Sequence, residues 1–193
     1  TTRWDKNFLL LTRMLLERRE RLRLHGSVRF GGSLDFDAAW SMGFDHVALA
    51  TGAGRPRIPP LPHALAPGVR LASDFLMALQ LTGAARDDSL ANLQVRLPVV
   101  VIGGGLTAID TATEALAYYP VQVERFAARH RAIVAACGEA GARAGWTESD
   151  RALADEFLGH AQALADERER AAREGRPARI AECLAAWGGV TVA

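Results

Sequence analysis

The chain has 193 residues, 49% of them hydrophobic, with 23 basic residues against 22 acidic ones and a formal net charge of +1. This composition fits a soluble globular protein with one good core or two small ones, and it excludes disorder. It also lacks the clustered positive excess by which nucleic acid or an anionic membrane is bound. Cys137 and Cys183 stand far apart with no CxxC spacing, so no disulfide framework or zinc site is read from them, and a reducing cytoplasm is expected. His25, His46, His63, His130 and His160 show no metal-ligand spacing. No apolar run reaches the roughly 18 residues of a membrane span, and no signal-peptide pattern precedes Trp4.

From Trp4 to Leu24, Phe8, Leu11, Leu15, Leu16 and Leu22 recur at helical spacing among arginines, which predicts an amphipathic helix with a solvated basic face. Ser27 to Phe30 reads as a short strand and Asp35 to Trp40 as one helical turn begun near Ser33. The apolar run Phe44 to Ala50 reads as a buried strand that enters the glycine loop Thr51-Gly52-Ala53-Gly54, with a proline-rich stretch from Pro56 to Pro67 after it. Val69 to Ala72 reads as a further short strand, followed by a helix from Phe75 to about Leu81 capped by Ser73 or Asp74.

Pro98 precedes Val99-Val100-Val101-Ile102, a β-branched run with no polar face, as expected of a parallel strand covered on both sides. Gly103-Gly104-Gly105-Leu106-Thr107-Ala108 follows, and then the apolar-periodic helix Ile109 to Leu116. Strand, glycine turn and helix together form a dinucleotide-binding pattern. Gly103 permits the tight turn, Gly105 lets backbone approach a pyrophosphate, and Ala108 lets the helix lie close on the sheet. The amides that open the helix face the anion, aided by the positive end of its dipole, and Thr107 adds a hydroxyl donor.

Beyond Tyr119 the chain turns to alanine, arginine and glutamate, with helices predicted near Val123 to Cys137, Thr147 to Glu174 and Ile180 to Trp187. Thr147-Glu148-Ser149-Asp150 marks a helix start, and Gly175 with Pro177 a stop. Two placements of the second strand compete. One is Val121 to Val123, ending on Glu124, whose carboxylate would read the ribose of NAD. The other, which we favour, is Val190 to Val192, with the stretch from Tyr119 to Trp187 as a helical insertion and the cofactor-selecting residue beyond Ala193. Neither end reads as a natural end, so the chain is expected to be an excerpt of a longer one.

Three elements in order resemble the two-dinucleotide-binding flavoproteins, and within them the glutamate synthase small-subunit-like oxidoreductases. Ala50-Thr51-Gly52-Ala53 with Pro56 is similar to that family's ATG segment. Gly68-Val69-Arg70-Leu71-Ala72-Ser73-Asp74-Phe75-Leu76 is similar to its second element. Val99 to Asp110 is similar to its NADPH motif. The resemblance covers roughly Val28 to Leu116, and Leu106 stands where relatives commonly carry Asn or Asp.

The resemblance implies an α/β, Rossmann-like three-layer sandwich holding parts of two nucleotide-binding domains plus a helical insertion. Residues 1–75 would be the C-terminal part of an FAD-binding domain and 76–96 a linker. Residues 97–193 would begin an NAD(P)-binding domain with its insertion at about 120–187. Thr51, Gly52 and Ala53 would help to hold FAD, while Gly103, Gly104, Gly105, Leu106, Thr107, Ala108 and Asp110 would hold NAD(P)H, with NADPH favoured. The implied function is FAD-dependent electron transfer from NAD(P)H to an unknown acceptor, with a redox partner protein or subunit. A non-catalytic NAD(P)-binding sensor or interaction module is the alternative.

Overall fold

The computed structural model describes residues 8–52, 54, 56, 58–91 and 93–193. The chain divides into two compact units, one ending at Pro59 and the other running from Pro60.

The first unit has little regular structure. Helix α1 (Phe8–Glu17) stops short of the predicted end at Leu24, none of its described residues is buried, and the predicted start at residues 4–7 lies outside the described residues. The arginine-rich stretch after Glu17 buries no apolar face that would offset the entropy of extending the helix. Helix α2 (Phe36–Ser41) forms where predicted, one residue after an Asp35 cap whose carboxylate accepts from the Ala38 amide at 2.7 Å. Ser27 to Phe30 yields only an isolated bridge between Phe30 and Leu34. The strand predicted at Phe44 to Ala50 does not form. Among the described residues this run has no ladder partner, and Phe44 and Leu49 stand exposed. An apolar run becomes a strand only when a neighbour takes its backbone hydrogen bonds.

The second unit is helical around a small parallel sheet. Helix α3 (Ala72–Leu81) opens at Leu71 without a side-chain cap, so the predicted strand at 69–72 and the Ser73 or Asp74 cap are both corrected. Burial of Phe75 and Leu79 from α3 fixes it against the core. Residues 76–96, read from sequence as a linker, include part of α3 and carry Leu93 and Val95 into that same core.

Strand β1 (Val99–Val101) and strand β2 (Val190–Val192) pair in parallel, Val99 beside Val190 and Val101 beside Val192. Gly188 makes this return possible. It has φ +94°, and a Cβ there would come 2.8 Å from the Pro98 Cβ. The favoured placement of the second strand therefore holds, and residues 121–123 are helical. The expectation of cover on both sides does not hold within the described residues. Val101 is buried, but Val100 is 63% exposed, because no described element lies over that face.

Between the strands run helix α4 (Leu106–Ala142), helix α5 (Glu148–Glu174) and helix α6 (Ile180–Ala186). Two predicted helices are one, because α4 continues through Pro120 and departs from helical backbone only at Gly138. An interior proline costs roughly 3 kcal/mol. Here its neighbours Tyr118, Tyr119, Gln122 and Val123 are all buried, and each fully buried apolar side chain contributes about 1.5–3 kcal/mol. Helix α5 begins at the predicted start, where Thr147 and Asp150 form a capping box, and ends on left-handed Gly175. Phe157, Ala161 and Leu164 of its buried stripe join the main core, where Tyr119, Val123 and Leu164 are fully enclosed.

Candidate functional site

The turn from β1 into α4 is built by three glycines with different geometry. Gly103 has φ +135°, a region closed to most side chains, and its amide donates to the Ala193 carbonyl at 2.8 Å. The Ala193 amide in turn donates to the Val101 carbonyl at 2.9 Å, so the strand pairing runs into the turn itself. Below the turn, Ala108 is buried with Val101 and Ala112 in a small second core. A Cβ on Gly103 would already touch the Ala108 Cβ at 3.7 Å, so a larger residue at 108 would push the helix off the strand.

Gly105 is the N-cap of α4, with φ −87° and ψ 175°, and no side chain caps the helix. Its carbonyl accepts from the amides of Ala108 at 3.0 Å and Ile109 at 3.2 Å. Among the described residues, the amides of Gly104, Gly105, Leu106 and Thr107 find no acceptor. A Cβ on Gly104 or Gly105 would meet none of the described residues, and no acidic residue occupies the first turn of α4. These unsatisfied donors and the helix dipole favour an anion at this end. The residues present therefore fit a dinucleotide pyrophosphate: bare backbone, open approach and donors with the right polarity.

The structure brings Gly103, Gly104, Gly105, Leu106, Thr107, Ala108 and Asp110 together on this turn and the first turns of the helix. Thr107 is exposed, and its carbonyl accepts from the Thr111 hydroxyl at 2.7 Å. Asp110 is half-buried one turn further on. Leu106 and Ile109 are exposed and give the site an apolar rim. Thr51 and Gly52 lie in the first unit, exposed, with Gly52 at φ +83°. Ala53 lies outside the described residues. Glu124, the competing ribose reader, sits inside α4 and pairs with Arg168 of α5. Among the described residues, no three His, Cys, Asp or Glu side chains stand together as a metal site, and no helix is long and apolar enough to cross a membrane.

Sequence reasoning missed the polar contacts that hold the scaffold. Glu167 is buried, accepting from Arg176 Nη1 at 2.6 Å and from the Arg179 amide at 2.8 Å. These bonds hold its carboxyl at about 2, with Arg176 the larger cause. Tyr119 and His160 join through Oη and Nδ1 at 2.6 Å, and Trp187 stacks on His160 at 3.8 Å. Their only sequence signal is a polar residue on an apolar helical stripe.

The family model for pyridine nucleotide-disulphide oxidoreductases matches residues 15–147. The chain belongs to the pyridine nucleotide-disulphide oxidoreductase family. Membership carries a Rossmann-type nucleotide-binding fold, and the family binds FAD and pyridine nucleotides generally. The β1 turn and the start of α4 lie within the matched residues. The family match ends at Thr147, so α5, α6 and β2 lie outside it. The chain is also 43% identical, over 162 residues, to uncharacterized protein RP006 of Rickettsia prowazekii (strain Madrid E). That alignment covers 84% of this chain and 21% of the relative, so the chain spans about a fifth of that protein's length. No solved structure matches the chain.

Proposed function

We propose that this oxidoreductase chain supplies the NAD(P)H-binding turn of an FAD-dependent enzyme that passes electrons from NAD(P)H to flavin and on to a partner protein or subunit. The observation that carries the reading is the turn at Gly103 to Ala108, with its unsatisfied amides, open approach and buried small residue. Gly104, Gly105, Leu106 and Thr107 would donate to the pyrophosphate, Thr107 adding its hydroxyl. The apolar rim of Leu106 and Ile109 would flank the dinucleotide and keep water from the phosphate contacts. Bound together, the two cofactors supply hydride chemistry that the protein only has to orient and shield.

The similarity to glutamate synthase small-subunit-like enzymes supports NADPH as the favoured donor and assigns Thr51, Gly52 and Ala53 to the flavin. It also supports reading residues 1–75 as the end of an FAD-binding domain and 97–193 as the start of an NAD(P)-binding one, and the sparse, widely spaced cysteines support a cytoplasmic enzyme.

The test is the visible absorption of the intact protein under anaerobic addition of NADPH, with NADH as comparison. A flavin spectrum that bleaches, faster with NADPH, is the expected result. A colourless protein that still binds NADPH overturns the enzyme reading in favour of a sensor module.

A further inference from the structure

A pocket of about 320 Å³ opens in the second unit, away from the glycine turn. Its walls are aromatic: Tyr118 and Phe157 are buried, and Phe126 and Trp146 are half-buried. Volume and lining both fall in the range of small-molecule sites, in which an apolar wall surrounds a few polar groups.

The polar groups at this pocket are unusual in their charge. Arg125 and Arg129 stand four residues apart on α4, on one face, where like charges repel by about 0.2–0.5 kcal/mol. Neither is paired with a carboxylate among the described residues, whereas Arg86, Arg96, Arg143, Arg168 and Arg176 all are. Arg125 instead donates to the Arg86 carbonyl at 2.8 Å and the Tyr118 hydroxyl at 3.2 Å, and Arg129 donates to the Ser89 carbonyl at 2.6 Å. Those bonds hold both guanidinium groups in place without a carboxylate at ion-pair distance among the described residues, while Asp87 and Glu124 line a neighbouring cleft beside them. Arg70 adds to the positive field felt at Tyr118. Among the described residues the one acidic residue in the lining is Asp150, which is engaged at the cap of α5, accepting from the Thr147 amide at 2.9 Å and the Thr147 hydroxyl at 2.7 Å.

We propose that this pocket is a second ligand site, which binds a small organic monoanion with a planar apolar body. The anion sits against Arg125 and Arg129, and the flat body lies among Tyr118, Phe126, Trp146 and Phe157. Two fixed guanidinium groups, each with N–H donors beyond those already engaged, suit a carboxylate, and the aromatic faces suit a ring system. This site stands independently of the nucleotide reading, because no residue of the glycine turn lines it.

The experiment is calorimetric titration of the intact protein with 2-naphthoate and with its neutral counterpart 2-naphthamide, each repeated under saturating NADPH. At least tenfold tighter binding of the acid is expected, unchanged by NADPH. Replacing both arginines, R125Q with R129Q, should remove the preference for the acid, and Ala154→Leu, which fills the pocket and keeps the charges, should weaken both probes. Equal affinity for acid and amide, displacement by NADPH, or no binding of the acid would each overturn the proposal. Loss of NADPH binding with 2-naphthoate binding intact would count against the nucleotide reading alone.

Discussion

Gln122 holds the backbone of Val95 by both ends of its amide: the Val95 amide donates to Oε1 at 2.6 Å, and Nε2 donates to the Val95 carbonyl at 2.7 Å. The side chain thus does for residues 93–97 what a neighbouring strand would do, and it ties the segment leading into β1 to helix α4. Gln122→Leu strands a buried donor and a buried acceptor, each at about 1–3 kcal/mol. Urea unfolding should show a loss of about 2–4 kcal/mol. A loss below about 0.5 kcal/mol would mean that water or another group replaces the amide.

Glu167 makes acid stability a second test. Its carboxyl sits at about 2 against an ordinary 4.5, chiefly through Arg176 and then the Arg179 amide. The folded value lies below the unfolded one, so its stabilisation is complete above about 4.5 and disappears as pH falls toward about 2. Glu167→Gln should be less stable than the parent at pH 7, with the difference closing over that window. Unfolding midpoints taken from pH 7 to pH 2 measure this, and a gap that does not change with pH would contradict it.

His160 acts in a higher window. Burial lowers its pKa below the ordinary 6.5, only partly opposed by Glu156, while burial raises that of Tyr119. Tyr119 therefore keeps its proton and shares a hydrogen bond with a neutral His160, the imidazole tautomer setting which of Oη and Nδ1 donates. The unfolded chain takes up the proton more readily, so this contribution is full above about 6.5 and lost as pH falls below it. His160→Gln should flatten that part of the stability profile, and NMR titration of the imidazole should give a midpoint below 6.5. A midpoint above 6.5 would reverse the assignment.

How much of this was legible in the sequence depended on whether a signal was local. Thr147, Gly175 and the glycine turn act through neighbours a few residues away, and each formed as read, whereas the helical turn read as begun near Ser33 is capped by Asp35 instead. The pairing of Val99–Val101 with Val190–Val192 was also legible, since the terminal valines had no other role in the pattern. The run Phe44 to Ala50 failed as a strand because pairing is a property of two segments, and hydrophobicity in one names no partner. Pro120 was misleading for the reverse reason: burial of Tyr119 and Val123 outweighs a local rule. The Gln122 and Glu167 contacts reach across turns and elements, so no spacing revealed them.

The central claim is that the turn at Gly103 to Ala108 binds a pyridine dinucleotide, and the most direct measurement is NADPH affinity of the intact protein beside its Gly105→Ala variant. A Cβ at Gly105 meets nothing among the described residues and its φ of −87° suits alanine, so stability should stay within about 1 kcal/mol. The same methyl would stand where the pyrophosphate approaches, and affinity should fall at least tenfold. Gly103→Ala serves as the contrast, since its φ of +135° should cost about 1–3 kcal/mol of stability as well. Unchanged NADPH affinity in Gly105→Ala, or no NADPH binding by the parent protein, would contradict the account.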